Sequence, residues 1–208
     1  MTAAASMVFV VDDDPSVRKS LTRLIGSAGY AVEAFASARE FLARERYPGS
    51  SCLVLDVRMP GLTGLDLQEA LAGAGRRMAI VFVTGHGDIS MSVTAMKGGA
   101  VDFLTKPVDD KDLLAAIEQA VARDARDLGA EARVAEIQER IQMLTPRETE
   151  VFALVVTGML NKQIASVLGI GEKTVKVHRA RVMEKMQAGS VAELVRLADG
   201  VGVIVPKS

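Results

Sequence analysis

Between residues 7 and 121, short apolar runs alternate with stretches whose apolar residues return every three or four positions. The runs are MVFVV (7–11), AVEAF (31–35), CLVL (52–55), AIVFV (79–83) and VDFL (101–104), dense in β-branched and aliphatic residues, and each predicts a strand. After the first run, Val17, Leu21, Leu24, Ile25 and Ala28 fall at i, i+4, i+7, i+8 and i+11, one buried stripe of a helix. Strands that alternate with helices argue for a parallel sheet, because parallel neighbours need a crossover and the crossover is usually a helix covering one face. Five such units predict an α/β fold, a small doubly wound domain around a five-stranded parallel sheet.

Past Pro107 the pattern changes. The stretch DDKDLLAAIEQAVARDARDLGAEARVAEIQERIQML is charged and alanine-rich. Leu113, Leu114, Ile117 and Val121 keep a packing face, residues 122–133 carry few large apolar groups, and Val134, Ile137 and Ile141 resume helical spacing. Residues 125–143 are expected to form a linker helix with a break or hinge at Gly129, either solvated or paired with a second copy. From Leu144 four short helices follow. Thr145 caps the first, with Pro146 at its first position and Glu148 three residues past the cap, a capping box. NKQIASVLG and EKTVKVHRARVMEKMQ are separated by the turn GIG, the helix-turn-helix pattern, and a last helix begins near Ser190. The tail VGVIVPKS has no assignment. The expected division is a first domain at residues 1–124, the linker at 125–143 and an all-α four-helix domain at 144–208.

Composition supports two domains: 208 residues, 49% of them hydrophobic, are enough for two cores. The whole chain is balanced at 25 Lys+Arg against 26 Asp+Glu, but residues 145–208 hold 9 Lys+Arg against 6 Asp+Glu. The acidic and the basic parts are therefore different domains. Cys52, the single cysteine, lies inside an apolar run, which rules out a disulfide framework and fits core packing in a reducing compartment. MTAAASMVFV lacks a basic start and soon meets DDD, and no apolar run approaches the roughly 18 residues that span a bilayer. A cytoplasmic protein without a membrane partner is expected.

In an open parallel sheet the ligand site lies beyond the carboxyl ends of the strands. The polar residues there form a coherent set: Asp12, Asp13 and Asp14 after the first strand, Asp56 after the third, Thr84 after the fourth, and Lys106 with Pro107 after the fifth. Converging aspartates repel one another and need protons or a hard divalent cation to coexist. Oxygen ligands without His or Cys point to Mg2+ or Mn2+. A metal-bound carboxylate beside a hydroxyl and an ammonium is what phosphoryl transfer requires. Taken singly, an aspartate at a strand end is a turn or cap residue. Asp14, which precedes Pro15 and the helical stripe, fits that role and is expected to cap the helix.

VVDDD, LDVRMPGLTG around Asp56, VTGHGD (83–88) and AMKGGAVDFLTKP (95–107) together resemble the receiver domain of two-component response regulators, specifically the FixJ type within the NarL/LuxR group. The similarity extends over nearly the whole chain, and Asp13, Asp56, Thr84 and Lys106 stand 43, 28 and 22 residues apart, as that family spaces them. The resemblance implies a flavodoxin-like receiver in which Asp56 accepts phosphate from a sensor histidine kinase. By the same resemblance Asp12 and Asp13 bind Mg2+ with the backbone carbonyl of Arg58, and Thr84 and Lys106 hold the phosphoryl oxygens. Phe103 matches the aromatic that moves with Thr84 on phosphorylation, and Arg58 and His86 match positions that tune phosphoryl lifetime.

In EKTVKVHRARVMEKM, Val175, Val182 and Met186 share one stripe, and the opposite face shows Lys173, Val177 and Ala180, flanked by Lys176 and Arg181. A basic outer face with small residues between the cations fits a DNA major groove. LTPRE, NKQIA and TVKVH resemble the LuxR-type helix-turn-helix domain, which binds double-stranded DNA as a dimer. That resemblance places Lys176, Val177 and His178 in the groove and Asn161, Lys162, Gln163 and Thr174 nearer the backbone. The expected function is a transcription regulator that dimerises when phosphorylated and meets RNA polymerase if it activates. It would not be an enzyme beyond catalysing its own aspartyl phosphorylation and dephosphorylation. The alternative is a Mg2+-dependent phosphatase or phosphotransferase with an aspartyl-phosphate intermediate. Such enzymes commonly carry the nucleophile in a DxD on strand one, and here the best nucleophile stands alone on strand three.

Overall fold

A computed structural model of the chain describes residues 6–85 and 88–202. It divides into two compact units, Met1–Leu128 and Gly129–Ser208. In the first, β1 (Met7–Val11), β2 (Ala31–Phe35), β3 (Ser51–Leu55), β4 (Ala79–Thr84) and β5 (Asp102–Thr105) form one parallel sheet in the order β2-β1-β3-β4-β5. This is the flavodoxin-like doubly wound order, whose switch point lies between β1 and β3. Strand β3 starts one residue earlier than the apolar run, and β5 lies one residue later than VDFL.

The period-2 alternation of strand side chains sends successive residues to opposite faces. Val8, Val10, Cys52, Val54, Val81 and Val83 meet Leu21 and Ile25 of α1 (Pro15–Ser27) and Leu113 and Ile117 of α5 (Asp110–Gln142). Phe9, Val11, Leu53, Leu55, Ile80 and Phe82 meet the other three helices: α2 (Ala38–Ala43), α3 (Gly64–Gly73) and α4 (Ile89–Lys97). The α1 stripe stops at Ile25, since the helix ends at Ser27 and Ala28 is exposed. Ala116 and Ala120 are buried with Leu113 and Ile117, letting α5 approach the sheet closely.

No break occurs at Gly129: α5 is continuous from Asp110 to Gln142. One glycine costs about 1 kcal/mol in a helix, and the flanking Ala, Arg and Glu, all good helix formers, outweigh it. Nor is the end of α5 simply a solvated face, because Ile137 is buried in the apolar cluster of the second unit and Ile141 packs on it. No helix among the described residues is long and apolar enough to cross a membrane.

The second unit holds α6 (Pro146–Val156), α7 (Asn161–Leu168), α8 (Glu172–Lys185) and α9 (Val191–Gly200). Thr145 and Glu148 form the capping box: the Glu148 N–H donates to Thr145 Oγ1 at 3.3 Å and the Thr145 N–H to Glu148 Oε2 at 2.9 Å. The same Glu148 oxygen accepts from Lys185 Nζ of α8 at 2.6 Å, so a local cap also ties two helices together. Those bonds, led by Lys185, hold the buried Glu148 carboxyl well below its ordinary 4.5, at about 2. A depressed carboxylate pKa gives stability that is complete above the ordinary value and disappears as pH falls through the folded one. The second unit is expected to lose stability as pH drops from about 4.5 towards 2. Far-ultraviolet circular dichroism on Glu148→Gln should show a weaker acid dependence than the wild type, and identical profiles would contradict this role. The part of the tail from residue 203 lies outside the described residues.

Candidate functional site

At the switch point the backbone ladder continues past the strands. The Asp56 N–H donates to Val11 O at 2.9 Å and the Lys106 N–H to Thr84 O at 2.8 Å, so each functional side chain leaves from a position fixed by the sheet. Asp12 and Asp56 are buried, while Asp13 is exposed at the rim. One carboxylate oxygen from each of Asp12, Asp13 and Asp56 falls within 4.8 Å of the others. Lys106 Nζ lies 2.6 Å from Asp12 Oδ2 and 3.0 Å from Asp56 Oδ2 and bridges the two.

Three carboxylates against one ammonium leave two negative charges, the charge a divalent cation cancels. The donor set is oxygen only, which suits a hard cation. Burial raises the Asp12 carboxyl above its ordinary value, with bonds from Lys106 and the Asp14 N–H pulling the other way. For Lys106, burial lowers the ammonium but the bonds to Asp12 and Asp56 outweigh it, so the group stays charged.

Thr84 is fully buried at the end of β4, level with Thr105. Phe103 is half-buried, its ring 6.0 Å from that of Phe82 and packed on the core. Arg58 is exposed, and its N–H donates to Asp56 Oδ1 at 3.2 Å. His86 lies outside the described residues. Asp14 stands apart from the cluster's work: its carboxylate accepts from the Ser16 N–H at 2.7 Å and the Val17 N–H at 3.3 Å and starts α1. The lysine's peptide bond to Pro107 is cis.

Two supports were not visible as functional in the sequence. Arg18 Nη1 donates to Asp12 O at 2.7 Å and so holds the loop that carries the acidic pair. Gly64, the first residue of α3, lies so close to Asp56 that a Cβ there would sit 2.3 Å from the Asp56 carbonyl oxygen.

In the second unit Val175, Val182 and Met186 are fully buried, and Lys173, Thr174, Lys176, Val177 and Arg181 are exposed on α8. His178 differs from the expectation of an open groove residue. It follows Val175 by three positions, which turns it towards the inward stripe, and its Nδ1 is buried without a hydrogen-bond partner. Asn161 and Gln163 are partly committed: Asn161 Oδ1 accepts from Arg179 Nη1 at 2.9 Å, and Gln163 Oε1 accepts from the Leu160 N–H at 2.7 Å. Both bonds use the carbonyl oxygen and not the NH2 group. Lys162 is exposed beside them.

Residues 8–118 match the family model for the response regulator receiver domain, and residues 142–198 match that for bacterial regulatory proteins of the luxR family. Nodulation protein W of Bradyrhizobium diazoefficiens is 51% identical over 198 residues, covering 95% of this chain and 87% of the relative. The transcriptional regulatory protein FixJ of Azorhizobium caulinodans is 46% identical over 196 residues, covering 94% of this chain and 93% of the relative. Among solved structures, the response regulator StyR superposes with a TM-score of 0.86 at 48% identity, covering 94% of this chain and 99% of that one. Full-length FixJ from B. japonicum gives 0.56 at 41% identity, covering 98% and 100%. Proteins of this kind are transcription regulators and not classical enzymes. The chain belongs to the two-component response regulators, in the group that joins a receiver domain to a LuxR-type DNA-binding domain.

Proposed function

We propose that this chain is a cytoplasmic transcription switch in which a histidine kinase phosphorylates Asp56 and the phosphorylated form pairs with a second copy on DNA. The observation that carries it is the Lys106 bridge between Asp12 and Asp56, with the Asp13 oxygen alongside. Asp12, Asp13, Asp56 and the Arg58 carbonyl would hold Mg2+ or Mn2+, which supplies charge neutralisation for the phosphoryl oxygens. A carboxylate oxygen of Asp56 attacks phosphorus as the bond to the donor's nitrogen breaks. Lys106 then turns from Asp56 to a phosphoryl oxygen, and Thr84 takes another by its hydroxyl. The space Thr84 leaves is taken by Phe103. Catalysis is limited to the chain's own phosphorylation and dephosphorylation.

Dimerisation through α4 and β5 is supported by Ile89, Val93 and Met96, exposed apolar residues of α4 at 83%, 45% and 46%. The receiver spans residues 1–124, the linker 125–143 and the DNA-binding domain 144–208. Lys173, Lys176, Val177 and Arg181 of α8 face the groove, with one edge of His178 beside them. Lys162, Thr174 and the NH2 groups of Asn161 and Gln163 face phosphates. A regulator that activates would also touch RNA polymerase.

The test is the affinity for target DNA with Mg2+ and a small phosphodonor. Wild type should bind more tightly once phosphorylated, and Asp56→Asn should show no donor response; a wild type indifferent to the donor would defeat the switch. Asp13→Ala should abolish Mg2+ binding, whereas Asp14→Asn, which keeps an N-cap acceptor, should leave phosphorylation nearly intact. Equal loss in both would show that the adjacent carboxylates do not divide their work this way.

A further inference from the structure

The carboxyl ends of the strands gather acids; their opposite ends gather arginines. Two adjoining depressions of about 220 and 40 Å3 lie where β3 and β4 begin, and Leu71, Arg76, Arg77, Met78 and Asp124 line both. Arg123 completes the larger one, and Arg44 and Arg46 the smaller. Five guanidiniums therefore face two carboxylates, Asp124 and Asp127. Asp124 is committed elsewhere, since its Oδ2 accepts from the Ser51 N–H at 2.7 Å and from Ser51 Oγ at 3.4 Å.

Elsewhere among the described residues Arg140 and Arg147 each pair with a glutamate on their own helix. Two of the groove's arginines bond to neutral acceptors: Arg44 Nη1 to Glu45 O at 2.8 Å and Arg123 Nη1 to Gly99 O at 3.3 Å. Arg44 is also held in place, its guanidinium 3.8 Å from the Phe9 ring centroid and 4.4 Å from that of Phe41, with Nε buried and unpartnered. Burial first, and then the charge of Arg76, pull the Arg44 guanidinium below its ordinary pKa. Positive charge thus outnumbers counter-charge along the groove, five guanidiniums to two carboxylates.

We propose that this groove binds a small organic phosphate, its dianion between Arg76, Arg77 and Arg123 and its organic part over Leu71, Met78 and Ile80. Guanidinium forks match phosphate oxygens two at a time, and the surplus of guanidiniums over carboxylates across the two depressions favours a dianion over a single carboxylate. At about 30 Å3 per water the larger depression has room for several waters, more than a bare phosphate group fills, and apolar side chains line part of it. Gly98 and Gly99, at the end of α4, border the groove, and so does Gln68, whose Nε2 donates to Ala95 O of α4 at 3.0 Å. A ligand there joins the ends of α3 and α4 to the middle of α5. Restraint of α4 as a dimer surface is a consequence that rests on the proposed function; binding itself does not.

The test is a titration of the full-length protein with phenyl phosphate, without Mg2+, following backbone amide resonances of Met78, Gly98 and Gly99. Saturable shifts are expected in wild type and in Asp56→Asn. Affinity in Arg76→Gln/Arg77→Gln should be weaker by at least about tenfold at an unchanged melting temperature. Phenol should give no such shifts, and inorganic phosphate weaker ones. Absence of saturation, shifts confined to the Asp12 and Asp56 pocket, or equal binding by the double variant would overturn the proposal. So would a random-sequence DNA duplex that shifts these amides at lower concentration than phenyl phosphate, which would make the groove a nucleic-acid surface.

Discussion

Lys106→Met should bind Mg2+ about tenfold more tightly than wild type, yet melt earlier in metal-free buffer. The ammonium lies within hydrogen-bonding distance of Asp12 and Asp56, two of the three carboxylates that converge there. A second cation entering the cluster is repelled by the first. Two unit charges about 4 Å apart at an effective dielectric of about 20 interact by about 4 kcal/mol, and solvent at the partly open rim reduces this to about 1–2 kcal/mol. That is about five- to thirtyfold in affinity. Without metal the sign reverses, because Asp12 and Asp56 are buried and lose the Lys106 ammonium that pairs with both. Breaking a buried pair costs about 3–5 kcal/mol, less here since Lys106 is partly open to water, and a fall of about 5–10 °C in melting temperature is expected. Calorimetric Mg2+ titration and a thermal melt with and without metal check both halves. An unchanged or weaker Mg2+ affinity would mean that the lysine does not compete for the carboxylates.

Gly64→Ala should cost about 2–4 kcal/mol and slow labelling of Asp56 by a phosphodonor. The added Cβ would stand 2.3 Å from the Asp56 carbonyl oxygen and 3.1 Å from Leu55 Cγ. Neither neighbour can yield freely: the oxygen is backbone, next to an amide bonded to Val11 O, and Leu55 is fully buried. The start of α3 must therefore move, or the phosphoacceptor must. Gly73, at the other end of the same helix, has nothing within 4 Å of its Cβ position, so Gly73→Ala should be neutral or stabilising by up to about 1 kcal/mol. Urea unfolding of the two variants separates steric conflict at one glycine from helix propensity at the other. Equal stabilities would show that the loop before α3 absorbs the methyl group.

The strands were legible because buried parallel strands are written as continuous runs of Val, Ile, Leu and Phe, and their polar ends then mark the site. Asp12, Asp13, Asp56 and Lys106 could be nominated from position alone, since the doubly wound order brings the ends of β1 and β3 together. Less visible were features that depend on distance in space. Arg18 looks like any solvated helix arginine until its guanidinium is seen on the Asp12 carbonyl. Gly64 reads as a turn glycine, and Glu148 as a cap whose second partner, Lys185, lies 37 residues away. The break expected at Gly129 failed for a local reason: a single glycine is a weak signal against the helix formers around it. The resemblance places His178 in the groove, and its half-burial depends on a feature of the fold: a position three past a buried valine turns towards the inward stripe.

The Lys106 bridge has a consequence for a chain still being made. Synthesis runs from the N-terminus, so Asp12, Asp13 and Asp56 emerge while the cation that bridges two of them is 50 residues from appearing. In a receiver without its last strand, any approach of Asp12, Asp13 and Asp56 is opposed by a repulsion that Lys106 has not yet relieved, and β4 lacks its outer neighbour until β5 arrives. Closure of the sheet and neutralisation of the pocket are then one event, and a nascent chain halted before residue 106 has no complete phosphoryl site to be charged prematurely.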